Sequence, residues 1–215
     1  MTARVLWILL AAAVWCRAEI IDRVAATVGT RAITLSDVWE EIRVSALLSR
    51  TEPDFGPASR KAAAARLVER ALIEIEMEIG RYPAPREAEV NEELETIRKQ
   101  YLQSTGGWTK ALESYQVREE DVRRYLLRQL AVARFIDARF GPGVQVLEEE
   151  VQAYYQGRFA EEWAGRTKQP LPPLEEVHAG IEEILRSRRV DALLDQWLDE
   201  ARARARIHYQ PEAFQ

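Results

Sequence analysis

Glu19-Ile-Ile-Asp-Arg-Val-Ala-Ala-Thr-Val-Gly-Thr-Arg-Ala-Ile-Thr-Leu-Ser-Asp-Val38 is the stretch on which the fold turns. Ile20 to Val28 is β-branched and alanine-rich, Gly29-Thr30 signals a turn, and Arg31-Ala-Ile-Thr34 returns. This is a short β-hairpin, with Val24, Ala26 and Val28 expected on one face by the two-residue period. Thr34 or Ser36 can cap the helix that follows. Thr34-Leu-Ser-Asp37 has capping-box spacing with Asp in the place of Glu. An isolated hairpin is marginal in water, so a partner strand must come from elsewhere. The far end of the chain offers one. Ala203, Ala205, Ile207 and Tyr209 alternate with Arg204, Arg206 and His208, the period of a strand.

Upstream of the hairpin, residues 1–18 have the three parts of a secretory signal. Arg4 supplies the charge, Val5 to Trp15 is an apolar run of 11 residues, and Cys16-Arg-Ala18 offers small residues before a cut. At about 1.5 Å per residue the run spans roughly 16 Å, half of a hydrocarbon core of about 30 Å, so no integral membrane span is expected after cleavage. Trp15 before Cys16 argues against lipidation. Cleavage after Ala18 removes the only cysteine, and with it disulfide and thiolate chemistry. The remaining 197 residues hold 28 basic and 35 acidic side chains, interleaved as on solvated helix faces. No basic stripe stands out, which argues against nucleic acid as a partner.

Between the terminal strands the periodicity is helical. Val38, Ile42 and Leu47 mark a first helix. A second runs from Pro57 to Ile79, with Val68, Leu72, Ile75 and Ile79 as its stripe, and stops at Gly80. Tyr82-Pro-Ala-Pro85 breaks the chain. Val90, Leu94, Ile97 and Tyr101 form a third stripe, Trp108 to Tyr115 a short helix, and Val122, Leu126, Leu130, Ala133, Ile136 and Phe140 a long one closed by Gly141-Pro-Gly143. Val151, Tyr154, Tyr155 and Phe159 share the apolar side of the next helix. Gly165-Arg-Thr-Lys-Gln-Pro-Leu-Pro-Pro173 reads as a linker. A last helix from about Leu174 to Ala203 is expected to bury Val177, Ile181, Ile184, Leu185, Leu194, Trp197 and Leu198. The fold class is therefore mostly α: one multi-helix domain closed by a small sheet of the N-terminal hairpin and a C-terminal strand.

This order of elements resembles the SurA family of periplasmic chaperones. The resemblance rests on Ile21-Asp-Arg-Val-Ala-Ala26, Ile33-Thr-Leu-Ser-Asp37, the Gly107-to-Arg134 stretch with Asp121-Val-Arg-Arg-Tyr-Leu-Leu-Arg-Gln-Leu130, and Arg189-Val-Asp-Ala-Leu-Leu-Asp-Gln-Trp197 with Ala205-Arg-Ile207. It covers roughly residues 20–209. It implies a periplasmic, ATP-independent holdase that binds unfolded outer-membrane proteins or other unfolded exported polypeptides, needing no cofactor. It divides the chain into a signal (1–18), a helical chaperone domain (19–163), a linker (164–173) and a closing helix and strand (174–209). Family members commonly carry a parvulin-type prolyl isomerase domain before the closing helix. The linker here is far below the roughly 50 residues a domain needs, so the resemblance implies a chaperone core and no enzyme.

Candidates for peptide binding are Trp39, Trp108, Tyr115, Tyr154, Tyr155, Phe159 and Trp163, although helical spacing favours the core as the place for each of them but Trp163. Trp163, beyond the last apolar repeat and beside the linker, is the one most expected at the surface. His178 and His208 stand thirty residues apart and without carboxylate pairing, which does not read as a metal site. Glu148-Glu-Glu150 reads as a solvated first helical turn, and Arg202, Arg204 and Arg206 as a helix terminus or strand edge. Two other readings remain open: an envelope adaptor with one folded partner, and a prolyl isomerase with an unrecognised site.

Overall fold

The computed structural model describes residues 22–101 and 106–215. The signal-like segment 1–18 lies outside the described residues, as do Ile20 and Ile21 of the hairpin. β1 (Val24–Val28) and β2 (Arg31–Thr34) pair antiparallel around Gly29, whose φ of +60° a glycine adopts without strain. β3 (Ile207–Tyr209) pairs with the other edge of β1, giving the order β2-β1-β3. The seam is extended by Gly29 N–H to the Arg206 carbonyl (2.8 Å) and Gln210 N–H to the Ala25 carbonyl (2.9 Å). The hairpin near the start of the described residues and the strand near their end thus meet in one mostly helical structure closed by a small sheet.

Strict alternation fails at one place in β1. Register slips between Val24 and Ala26, and Ala25 is the extra residue of a β-bulge. The bulge turns Ala25 inward along with Ala26 and Val28, while Val24 is only half-buried. The capping box forms as its spacing predicts. Asp37 N–H donates to Thr34 Oγ1 (3.2 Å), Thr34 N–H to Asp37 Oδ2 (2.8 Å), and α1 (Leu35–Ser49) follows.

Two apolar clusters share α1 and α5 (Glu119–Phe140). In the first, Val38 and Ile42 of α1 meet the sheet, α2 (Pro57–Ile79), Phe135 and Phe140 of α5, and Leu198. Ala63, Ala64 and Ala71 keep α2 thin where it lies on the strands. In the second, Val44 and Leu47 of α1 meet α3 (Glu87–Tyr101), α4 (Gly107–Tyr115) and Val122, Tyr125 and Leu126 of α5. Serving two cores rotates the buried face of α5, so Ala133 is exposed and Phe135 is fully buried.

The α2 stripe also ends early. Val68 and Leu72 are buried and Ile75 half-buried, but Ile79 is 81% exposed. The chain reverses at Gly80 and delivers Tyr82 instead, edge-on to Phe135 at 4.8 Å. A Cβ on Gly80 would collide with the Tyr82 ring, so this reversal requires glycine.

After Phe140, the Gly141–Gly143 turn leads to α6 (Glu148–Tyr154), a π turn (Tyr155–Phe159) and α7 (Ala160–Arg166), one continuous helical rod. Helix runs through Arg166, so the irregular link to α8 (Leu174–Arg204) is Thr167–Pro173. α8 is the clearest departure from expectation. Of its seven expected core residues only Ile181 and Leu198 are buried; Val177, Leu185, Leu194 and Trp197 are half-buried and Ile184 is exposed. Its C-terminal half covers α2 and α5, whereas its N-terminal half has α6 for a neighbour. One helix cannot be enclosed by one partner. It also keeps Ala203 and Arg204, so the strand starts only at Ile207.

Candidate functional site

The rod Glu148–Arg166 and the first half of α8 form an arm, and the sequence builds it locally. Glu148-Glu-Glu150 lies in the first turn of α6, where carboxylates favour the helix dipole, and Glu150 Oε2 accepts the Leu147 N–H at 2.9 Å. Across to α8, Glu150 binds Arg189 (2.6 Å) and Glu148 binds His178 (2.8 Å). His178 thus has a carboxylate partner after all, invisible in the sequence because it sits 30 positions away. That hydrogen bond raises the His178 pKa above its ordinary 6.5. Arg188 lies over the Tyr154 ring at 4.9 Å and donates to its hydroxyl at 3.1 Å. The buried residues of the arm, Val151 and Ile181, belong to neither large cluster.

Along the rod, Tyr155, Phe159 and Trp163 stack as a ladder. Ring centroids are 6.0 and 5.9 Å apart and the planes tilt by only 22° and 26°. Spacing by four residues does not align three rings on an α-helix, since each step overshoots a turn of about 3.6 residues. The π turn supplies the correction. Its wider i→i+5 turn makes the Tyr155-to-Phe159 step fall short, and the α step from Phe159 to Trp163 overshoots in the opposite sense.

The ladder's polar edges hold the link. Trp163 Nε1–H donates to the carbonyls of Gln169 (3.2 Å) and Pro170 (3.1 Å), and the Tyr155 hydroxyl donates to the Pro172 carbonyl (2.8 Å). All three rings are half-buried, while Pro170, Leu171 and Pro173 are exposed.

The other aromatic candidates divide. Trp108 packs on Tyr101 at 5.6 Å and donates its indole N–H to Glu119 (2.8 Å), and Tyr115 is half-buried against the same cluster. These two are core residues. Trp39 is 38% exposed and borders a hollow of about 360 Å³ with Arg43, Phe55 and Arg60. Phe55, equally exposed and 5.5 Å from the Arg43 guanidinium, was absent from the sequence candidates. Its only signal was an aromatic side chain inside the Pro53–Gly56 segment between two helices.

A more enclosed cleft of about 150 Å³ lies between the hairpin, α1, α2 and α5 and is charged. Its centre is Glu41, 3% exposed, bound by Arg66 (3.2 Å) and Arg70 (3.0 Å), with Arg70 over the Tyr125 ring at 5.3 Å. Burial raises the Tyr125 pKa, and Gln129 donates to its hydroxyl. These charges satisfy one another. Among the described residues no three His, Cys, Asp or Glu side chains are grouped to hold a metal ion, and no helix is long and apolar enough to cross a membrane.

The chain matches no family model and no curated protein.

Proposed function

We propose that the protein is an ATP-independent periplasmic holdase, exported by residues 1–18, that binds unfolded outer-membrane proteins in transit and catalyses no prolyl isomerisation. The observation that carries this reading is the arm. Its apolar side chains are enclosed on one side only, leaving a half-open aromatic ladder together with exposed Leu147 (56%), Leu171 (37%) and Ile184 (39%). Open apolar surface with aromatic platforms suits extended, sequence-diverse segments, and it gives the weak, quickly exchanging contacts from which a carrier releases cargo without ATP. The Trp39–Phe55 hollow is a second contact point of the same character. The resemblance to SurA-like chaperone cores supports the same reading.

The test is light scattering from a β-barrel outer-membrane protein diluted from urea with and without the chain 19–215. Suppression is expected at stoichiometric ratios, with the barrel still able to insert into lipid afterwards. Unchanged scattering, together with retention of one folded protein and no unfolded ones in a pull-down, would replace the holdase by an adaptor. A protease-coupled proline peptide assay is expected to run at the uncatalysed rate.

A further inference from the structure

The segment docked on the aromatic ladder is itself of the chemical kind that such a ladder recognises. Gln169-Pro-Leu-Pro-Pro173 has three prolines in five residues. Proline fixes its own φ, pushes the residue before it toward extended backbone, and has no N–H. Such a segment offers mostly carbonyl acceptors, on a backbone near the polyproline II helix of three residues per turn. Pro173 has φ −56° and ψ 146°, within that conformation. The ladder offers the complement. An indole N–H can only donate, and the Trp163 and Tyr155 donors meet carbonyls at 169–170 and at 172, about one such turn apart. Aromatic-lined grooves are a recurring way of holding proline-rich ligands in the polyproline II conformation.

The geometry points to an internal ligand: residues 169–173 occupy the ladder as a stand-in for an extended, proline-containing segment of a client, and must lift for the ladder to bind in trans. This deepens the holdase reading and rests on it. Both strap and rings are partly solvent-exposed, so lifting the strap disrupts neither large core cluster. The tether also sets the affinity. A strap joined directly to α7 competes at an effective concentration in the millimolar range, and a ladder free only a small fraction of the time shows an apparent Kd raised by the inverse of that fraction. The arm would thereby favour long or locally concentrated clients over stray short peptides.

The probe is a synthetic peptide of residues 168–174, titrated into the chain 19–215 while the Trp163 indole N–H resonance is followed by NMR, its assignment fixed by loss of the signal in Trp163→Phe. The comparison chain carries Pro170→Gly and Pro172→Gly, which keep the carbonyls and loosen the strap. Binding about tenfold tighter to the loosened chain, with the Trp163 signal shifting and a prolines-to-alanine peptide binding more weakly, is the expected result. Equal affinity for the two chains, or no saturable binding to the loosened one, overturns the proposal. Phe159→Ala in the loosened background removes the middle ring and should abolish binding while the far-UV circular dichroism is retained. Peptide binding that persists there overturns it as well. The two readings fail separately. Suppressed aggregation with equal peptide affinity leaves the holdase standing and the strap a plain connection. Peptide binding as expected without suppression keeps the ladder and assigns its ligand to a folded partner's proline-rich segment.

Discussion

Two groups of aromatic rings in this molecule are put to opposite uses. In the body, Tyr82, Phe135, Phe140 and Trp197 converge from the turn after α2, from α5 and from α8, with Phe135 at the centre, fully buried and 4.8 to 6.0 Å from its three neighbours. Most of these rings meet edge-on or steeply tilted, interlocking elements far apart in sequence. In the arm, Tyr155, Phe159 and Trp163 come from one rod, lie nearly parallel, and are half-buried. Rings that interlock several elements cannot be removed without loosening all of them. Rings aligned on a single element leave a face over for something else.

The sharpest way to break that contrast is to truncate the central ring of each group. Phe135→Ala should cost about 3–5 kcal/mol, the range for a large aromatic deleted from a packed core, and a single domain has only about 5–15 kcal/mol to lose. Phe159→Ala should cost about 1–2 kcal/mol, because its ring is already partly in water. Urea denaturation of both variants gives the comparison directly, and equal losses would mean that the arm is core after all.

The polar contacts repeat the contrast. Glu41 in the body has a side chain only 2% exposed and depends on Arg70, itself 12% exposed, whereas the Glu150–Arg189 pair of the arm is about 40% exposed on both sides. Arg70→Ala should therefore destabilise by about 2–3 kcal/mol, as Arg66 (49% exposed) is left to neutralise a buried carboxylate alone. Arg189→Ala should change stability by less than about 1 kcal/mol. The same denaturation experiment reads both.

Acid gives a third comparison. Asp121, 7% exposed, is penalised by burial, but hydrogen bonds from the Arg118 side chain and backbone N–H and from Arg124 outweigh that and lower its pKa from 3.8 to about 2. A depressed carboxylate stabilises the fold above its unfolded pKa and loses that contribution as pH falls through the folded value. Stability should decline from about pH 5 downward, by on the order of 1–2 kcal/mol for this residue after allowing for solvent screening. Asp121→Asn should start lower and flatten the profile between pH 4 and 2.

How much of this was legible depends on how local the cause is. The hairpin, the Thr34–Asp37 box, the four buried positions of α3 and the returning strand were readable because two-residue and helical periods and capping chemistry act over a few residues. Ala25, Ile79, Ala133 and Ile184 were not, since a bulge, a reversal at Gly80, a helix shared by two cores and a half-helix beside α6 alone are all set by distant elements. The ladder lay between these cases. Its three residues stood among the candidates, but their spacing alone reads as a spiral. The π turn over Tyr155–Phe159 that straightens it left no mark in the apolar pattern.

The smallest expected effect tests whether the arm responds to conditions that leave the body unchanged. The His178 pKa is raised, first by its hydrogen bond to Glu148 on α6 and further by the charges of Glu148 and of Glu182 on α8. A raised histidine stabilises the folded arm fully below its unfolded pKa of about 6.5 and loses this as pH rises through the folded value. The Glu148 pKa is lowered, first by the same bond, so its share is lost only as pH falls below the ordinary carboxylate range. Between those limits both partners are charged and the pair is at its strongest. Hydrogen exchange of α6 amides, corrected for intrinsic rates, should therefore show protection that weakens slightly above pH 6.5 while amides of α2 around Val68 stay level. His178→Gln should remove the weakening in α6. Because Glu148 is 58% and His178 34% exposed, the effect is small; a decline of equal size in α2 would mean that a group elsewhere titrates, and the pair would then have no part in holding the arm.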